Sequence, residues 1–419
     1  MVLKINHYLK GLALLGAGAL FLTGCTFSGP ERTPLPETTL GLSQVSAVDA
    51  AVKNAMQLSD STEAVVGIWS DRGDYVTSFA VGSEREFDAS AVFRAAQTLQ
   101  PMLCALVLTQ VAEGTLSLDR ELSRDIPRQT GIGNITYREA CDGTSGLPDF
   151  KSKFKNTYLE NPTRPWPSGQ LIAEALIQPE LSWPGLDVHR SDSNAVLLGR
   201  ALSVASGEDL EKLLKEAIYA PADMADTHIP QKDNNELAGE NNLAGIGYLP
   251  GPNCEAGIVD FSEVSVTILG DSGNAVTNVT DIKNFYEHLF QGTFGGEAGL
   301  ATLTDVRPTK NPERDENGEA TEEIETTSYR GFGVLKRGPL WGYDGALPGS
   351  ATAAWHNPET GFSVVVALNN STAGAGFASN LAFEIAAHVG EGDLPWTAEE
   401  QAEKLAKAAV CKEEAEETE

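Results

Sequence analysis

The run from Leu99 to Val111, centred on Met102, Leu103, Ala105, Leu106, Val107 and Leu108, is apolar on nearly every side of a helix. A helix without a polar face has to be enclosed, so this segment predicts a buried element, stopped at Gly114. A chain of 419 residues can bury such a core and could hold two subdomains. Glu63–Trp69, a polar Asp71–Asp74 joint and Tyr75–Val81 read as strand, turn, strand. Ala351–Trp355 and Phe362–Leu368 form a second strand pair across Asn357–Gly361, a turn by composition. Helical patterns run through 168–177, 194–205, 208–218 and 279–291, and a last one near 375–390. Residues 305–328 are polar and acidic and read as an exposed loop between strands. No internal repeat is visible.

The N-terminus reads as a targeting segment. Lys4 and Lys10 precede an apolar run, Gly11–Leu22, that is short for a membrane span, and Leu22-Thr-Gly-Cys25 follows. That ending looks like a bacterial lipobox, which makes 1–24 a signal peptide and Cys25 the acylated first residue of the mature chain. Residues 25–45 are rich in Pro, Thr and Gly and read as a linker lifting the domain off the membrane. The domain proper is expected over 46–395. The acidic stretch 396–419 reads as a tail, either a solvated helix or disordered.

The formal charge of −29 argues against nucleic acid, whose phosphates such a surface repels. Cleavage would remove two lysines and no acid, making the mature chain more negative still. Export permits disulfides, and Cys104, Cys141, Cys254 and Cys411 admit three complete pairings, among which the sequence does not choose. Free buried thiols are the alternative. His189, His228, His288, His356 and His388 stand singly, with no metal-ligand spacing, so neither a metal nor a cofactor is expected.

Phe93-Arg-Ala-Ala-Gln97-Thr-Leu-Gln100-Pro-Met102 resembles the Phe-Arg-x-Ala-Ser-x-x-Lys signature that opens the catalytic helix of serine β-lactamases and DD-peptidases. The resemblance continues in constant order through Leu116–Leu122, Ile135–Ala140, Gly143–Asp149, Trp183–Gly185, Asn194–Arg200, Leu214–His228, Gly270–Phe285 and Gly342–Gly349. In spacing it is nearest to the D-Ala-D-Ala carboxypeptidase and class C β-lactamase branch. It implies an α+β fold: an antiparallel sheet of N- and C-terminal strands flanked by helices, a mostly helical subdomain at roughly 97–230, and a cleft between them.

Each of the family's three motifs departs from its pattern here. Ser-x-x-Lys has become Gln97-Thr-Leu-Gln100, Tyr-x-Asn has become Arg190-Ser-Asp192, and His/Lys-Thr-Gly has become Tyr343-Asp344-Gly345. A carboxamide has no ionisable proton and cannot attack a carbonyl or act as general base. Ser152-x-x-Lys155 stands in a polar stretch and reads as chance; no Gly-x-Ser-x-Gly elbow occurs. Asp192 and Asp344 could form an acid/base or metal pair, but an Arg190 salt bridge to one or both is the better reading.

The expectation is therefore an envelope lipoprotein without catalytic residues. Its cleft, formed by Gln97, Gln100, Arg190, Asp192, Tyr343 and Asp344, would serve in binding or regulation. The alternative is a carboxypeptidase-, esterase- or β-lactamase-like hydrolase with relocated chemistry. With Asp344 where the family has a hydroxyl, a neutral or cationic ligand, or an envelope protein, is the expected partner. Replacing Cys25 with serine should abolish acylation and release the protein from the membrane fraction. Membrane retention without acylation, read by fractionation and metabolic labelling, would overturn the lipobox reading.

Overall fold

The computed structural model describes residues 32–154, 157–250, 254–255, 257–315 and 317–411. The leader, Cys25 and residues 412–419 lie outside them. Glu63–Trp69 pairs antiparallel with Tyr75–Ala80 on one side and with Ser363–Leu368 on the other. Ser350–His356, Leu340–Leu347, Leu335–Arg337, Ser328–Arg330 and Arg307–Pro308 extend the sheet in that order. N- and C-terminal strands therefore meet in one antiparallel sheet, and three of the central strands are buried along their whole length.

Both faces are covered, which is why the central strands are buried at every position rather than at alternate ones. In Ser363–Leu368, Val364, Val366 and Leu368 join one core. It is shared with the helices Leu42–Ser59 and Ala375–Val389 through Val52, Met56, Phe377 and Leu381. Val365 and Ala367 turn to the other core, with Phe285 and Leu289 of the helix Val279–Phe290 and with the central helix Gln100–Ala112.

The helix Gln100–Ala112 is buried over its first nine residues, Gln100 through Leu108. Pro101 in its first turn leaves no hydrogen bond unmade, and Gly114 turns away in the left-handed region, φ 73°. A short 3₁₀ turn, Ala96–Leu99, leads into it. Tyr137–Asp142 carries a capping box between Thr136 and Glu139, and a disulfide joins its Cys141 to Cys104 of the central helix, Cα–Cα 5.7 Å. Gly333 crosses directly over that bridge; a Cβ there would lie 2.5 Å from the Cβ of Cys104. The helical layer continues with Ser168–Leu176 and Ser193–Ser206. Among the described residues no helix is long and apolar enough to cross a membrane.

Two boundaries differ from the sequence reading. The helix Leu42–Ser59 begins inside the segment assigned to the linker, because Val48, Val52 and Met56 recur on one face and bury it on the sheet. The start of the acidic tail is not a solvated appendage. Ala398–Lys407 is a helix capped by Thr397 and Glu400, with Gln401 and Leu405 fully buried. The chain beyond it is tied back by the second disulfide, Cys254–Cys411. Its acids lie on the solvent side of an amphipathic helix, so composition alone concealed the buried stripe.

The Cys104–Cys141 bridge spans a sequence separation of 37 residues. Loss of that constraint on the unfolded chain is worth about 4 kcal/mol. Cys104→Ala/Cys141→Ala should lose roughly that much stability in urea denaturation with the far-UV spectrum retained. An unchanged midpoint would show that packing alone holds the central helix.

Candidate functional site

Gln97, Arg190–Asp192 and Tyr343–Gly345 come from three distant parts of the chain and meet at the start of the central helix. Their approach depends on glycine at 345. The strand Leu340–Leu347 passes so close that a Cβ at Gly345 would lie 2.3 Å from the Gln97 nitrogen. Ala96, just before Gln97, has φ 49°, a left-handed conformation that costs a residue with a side chain about 1 kcal/mol or more. The tight turn survives although no nucleophile stands on it.

One chain of hydrogen bonds runs through the site. The Ala346 backbone N–H donates to Gln97 Oε1 (2.7 Å), and Gln97 Nε2 donates to Asp192 Oδ2 (2.8 Å). Gln100 Nε2 donates to Asp192 Oδ1 (2.7 Å), and Tyr343 Oη donates to Gln100 Oε1 (2.7 Å). Arg330 Nη1 donates to Tyr343 Oη (2.9 Å) while its Nη2 holds the Cys141 carbonyl (3.0 Å). Each carboxamide gives its N–H to the same carboxylate and accepts from the opposite side, which fixes both amide orientations. Arg190 and Arg330 lie 5.0 Å and 5.2 Å from the centroid of the Tyr343 ring.

Asp192 is 1% exposed and is neutralised by a residue that sequence reasoning missed. Lys151 Nζ lies 2.6 Å from Asp192 Oδ2 and 3.7 Å from Asp149. Burial alone would lower the Lys151 pKa, but Asp192 and Asp149 outweigh it and hold the ammonium protonated, above its ordinary range. Burial pushes the Asp192 carboxyl up. The charge and hydrogen bond of Lys151, the charge of Arg190 and the Gln97 amide outweigh it and keep the carboxyl below its usual value. Asp149, left second in line, is pushed upward by burial and by Asp192. The only available signal was the position of Lys151 directly after the Leu147–Phe150 loop, and no spacing rule connects it to Asp192.

Arg190 takes one of the two acids. Its guanidinium pairs with the Asp344 carboxylate and donates to the Asp344 carbonyl (2.6 Å). Ser379 Oγ holds the other carboxylate oxygen (2.7 Å). Asp192 and Asp344 therefore sit in separate ion pairs and do not form a shared acid/base unit. The like charge assigned to Asp344 is not presented to the cleft either. The Asp344 side chain is 9% exposed beneath an Arg190 that is 41% exposed, and Lys151 is 29% exposed over Asp192. The accessible charges on the cleft floor are cations, so exclusion of anionic ligands does not follow from Asp344.

The cleft itself is open. A cavity of about 580 Å³ rises from Gln97, Lys151 and Arg190 between Tyr158, Tyr248 and Phe261. Of the hydroxyls singled out in the sequence, Thr98 donates to the Ala95 carbonyl (2.6 Å) and Ser193 to the Pro148 carbonyl (2.7 Å). Ser145 accepts from the Leu147 N–H. Ser191 is buried without a partner. Ser152 lines the cleft but donates to Gln178 (2.7 Å), and its nominal partner Lys155 lies outside the described residues. The hydrogen bond between His356 and Ser363 (2.8 Å) lies within the sheet. Among the described residues no cluster of three or more His, Cys, Asp or Glu side chains is placed to hold a metal ion.

The Beta-lactamase family matches residues 48–388. Penicillin-binding protein 4* of Bacillus subtilis (strain 168) is 25% identical over 284 residues, 64% of this chain and 58% of that protein, so the chain spans less than two thirds of that relative's length. A D-stereospecific amidohydrolase from Streptomyces sp. superposes with a TM-score of 0.68 at 21% identity, covering 83% of this chain and 98% of its own. An octameric penicillin-binding protein homologue from Pyrococcus abyssi does so with a TM-score of 0.66 at 16% identity, covering 85% and 80%. At those identities the two structures show the fold. The family match takes in the central helix, the helical layer and the C-terminal strands alike, and the chain belongs to the Beta-lactamase family of serine β-lactamases and DD-peptidases.

Proposed function

We propose that this chain is a non-catalytic member of its family, held at the membrane through Cys25, whose cleft serves binding or regulation. The observation that carries the reading is the position of the Gln97 carboxamide. Acyl transfer needs backbone N–H groups free to hold the charge that develops on the substrate oxygen. Here the Ala346 N–H is taken by Gln97 Oε1.

The edge of the strand supports the same reading. Leu340–Leu347 pairs with Leu335–Arg337 only as far as Gly342. Beyond that point Asp344 and Ala346 turn their backbone groups outward, where an extended peptide could add as another strand. The Asp344 carbonyl is occupied by Arg190 and the Ala346 N–H by Gln97. Side chains of the protein thus take the bonds that a peptide substrate would make.

Relocated chemistry finds little support. The lysine in the cleft is held protonated by two carboxylates, so it cannot take a proton from a hydroxyl. The names of the relatives, an amidohydrolase and a penicillin-binding protein, suggest D-amino acid amides, D-peptides and β-lactams as the compounds to test.

Incubation with a fluorescent penicillin, read by gel fluorescence and intact mass, should give no covalent adduct, and D-alanine amides should not be turned over. Labelling of the wild type would overturn the proposal. Labelling of Gln97→Ser/Gln100→Lys alone would support it, by showing that the cleft still admits a β-lactam and that only the nucleophile and its base are missing.

A further inference from the structure

The wall of the cleft is joined covalently to the C-terminal end of the described residues. Tyr248, Leu249, Pro250 and Cys254 line the cavity, and Cys254 is bridged to Cys411, Cα–Cα 5.2 Å. Both partners of the bridge are seated on the end of the helix Leu42–Ser59. Tyr248 Oη pairs with Asp60, and the Val410 N–H donates to the Leu58 carbonyl (2.9 Å). Cys254 is half-buried and Cys411 exposed, so the bridge marks the rim of the cleft. Residues 412–419, Lys-Glu-Glu-Ala-Glu-Glu-Thr-Glu, continue from that point. Eight extended residues reach about 27 Å, against a width of roughly 10 Å for a round cavity of about 580 Å³.

Charge favours the same encounter. The stretch 412–419 carries five glutamates and one lysine, on a protein of formal charge −29 that repels it over most of its surface. The cleft lining is an exception: it includes Lys151 and Arg190 and no acidic side chain. Asp192 and Asp344 pair with those cations from behind and do not line the cavity. Asp344 engages Nη1 and Nη2 of Arg190 and leaves its Nε without a partner among the described residues. The cavity beside the helix Ala398–Lys407 is lined by Glu400 and Glu403 as well as by lysines, and is the poorer host.

We propose that residues 412–419 occupy the cleft of their own chain as a tethered acidic peptide, with glutamate carboxylates held by the N–H donors of Arg190 and Lys151. The outward bonds of the edge strand at Asp344 and Ala346 are already made by Arg190 and Gln97, so the segment is held by its side chains and not by strand addition. A tether this short gives an effective concentration in the millimolar range, and an external ligand of the cleft has to displace it. This inference rests on the reading of the cleft as a binding site. Penicillin labelling tests catalysis and the experiments below test occupancy, so either can fail alone.

Thr418→p-benzoylphenylalanine in the full chain, irradiated and mapped by mass spectrometry, should crosslink within one molecule to cleft residues such as Tyr158, Leu159 or Tyr248. The acetylated, amidated peptide of residues 412–419 is the second probe. It should bind at least tenfold more tightly to a full chain in which Glu413, Glu414, Glu416, Glu417 and Glu419 are all glutamine than to the wild type, whose own segment competes. The all-glutamine peptide should not bind either protein. In the glutamine-tail background Arg190→Gln should weaken the peptide by about tenfold, as loss of a charged hydrogen bond does, while Arg190→Lys should retain part of the affinity. The crosslink is read with Arg190 intact and stands even where Arg190→Gln disturbs folding. Crosslinks confined to the helix Ala398–Lys407 or to a second molecule, no crosslink at all, or equal peptide affinity for the two full chains would each overturn the proposal.

Discussion

A carboxylate at the junction of three segments is the constraint on which the site depends. Asp192 is out of water, and such a charge is tolerated only when it is paired and fully hydrogen-bonded. Lys151 supplies the cation, and Gln97 and Gln100 supply two N–H donors from successive turns at the head of the central helix. The same two carboxamides then accept from Ala346 and Tyr343 on the edge strand. One buried anion thereby ties the loop after Gly146, the head of the helix Ser193–Ser206 and the sheet to the central helix. Removing any one partner leaves a charged or polar group unpaired at a point where all four elements meet.

This arrangement explains why glutamine stands at both positions. A nucleophile and a base need protons that can move. On the proposed non-catalytic reading the site has to hold its elements together, which needs groups that donate and accept at once and stay neutral. A carboxamide does both from one side chain. The geometry of a catalytic turn persists around it, with Ala96 in the left-handed region and Gly345 against the Gln97 nitrogen. Those features fix where the chain passes, and they are as useful to a hydrogen-bond network as to a reacting serine.

The ion pairs also decide what the cleft shows to solvent. Asp192 and Asp344 lie beneath their cations, so the more exposed member of each pair is a cation although the protein as a whole carries a strong negative charge. Formal charge along the chain does not reveal this. Burial and pairing decide it, because each is set by neighbours that are remote in sequence.

Much of the architecture was legible from the residues. The all-round apolar run Leu99–Val111, the strand pairs at both ends and the ordered motifs between them specify a central helix, an antiparallel sheet and a family. Local pattern suffices there because burial on two faces or on all sides leaves its mark on every residue of the element. The absence of serine and lysine at 97 and 100 was equally plain. The buried stripe of Ala398–Lys407 was masked by its acids, and the disulfide pairing was left among three choices until the fold brought Cys104 to Cys141 and Cys254 to Cys411. The sequence by itself determined which chemical groups the site has and which it lacks. Only the tertiary structure decided which acid meets which cation, Lys151 with Asp192 and Arg190 with Asp344. The energy of an ion pair depends on distance and burial in space, and neither is encoded by separation along the chain.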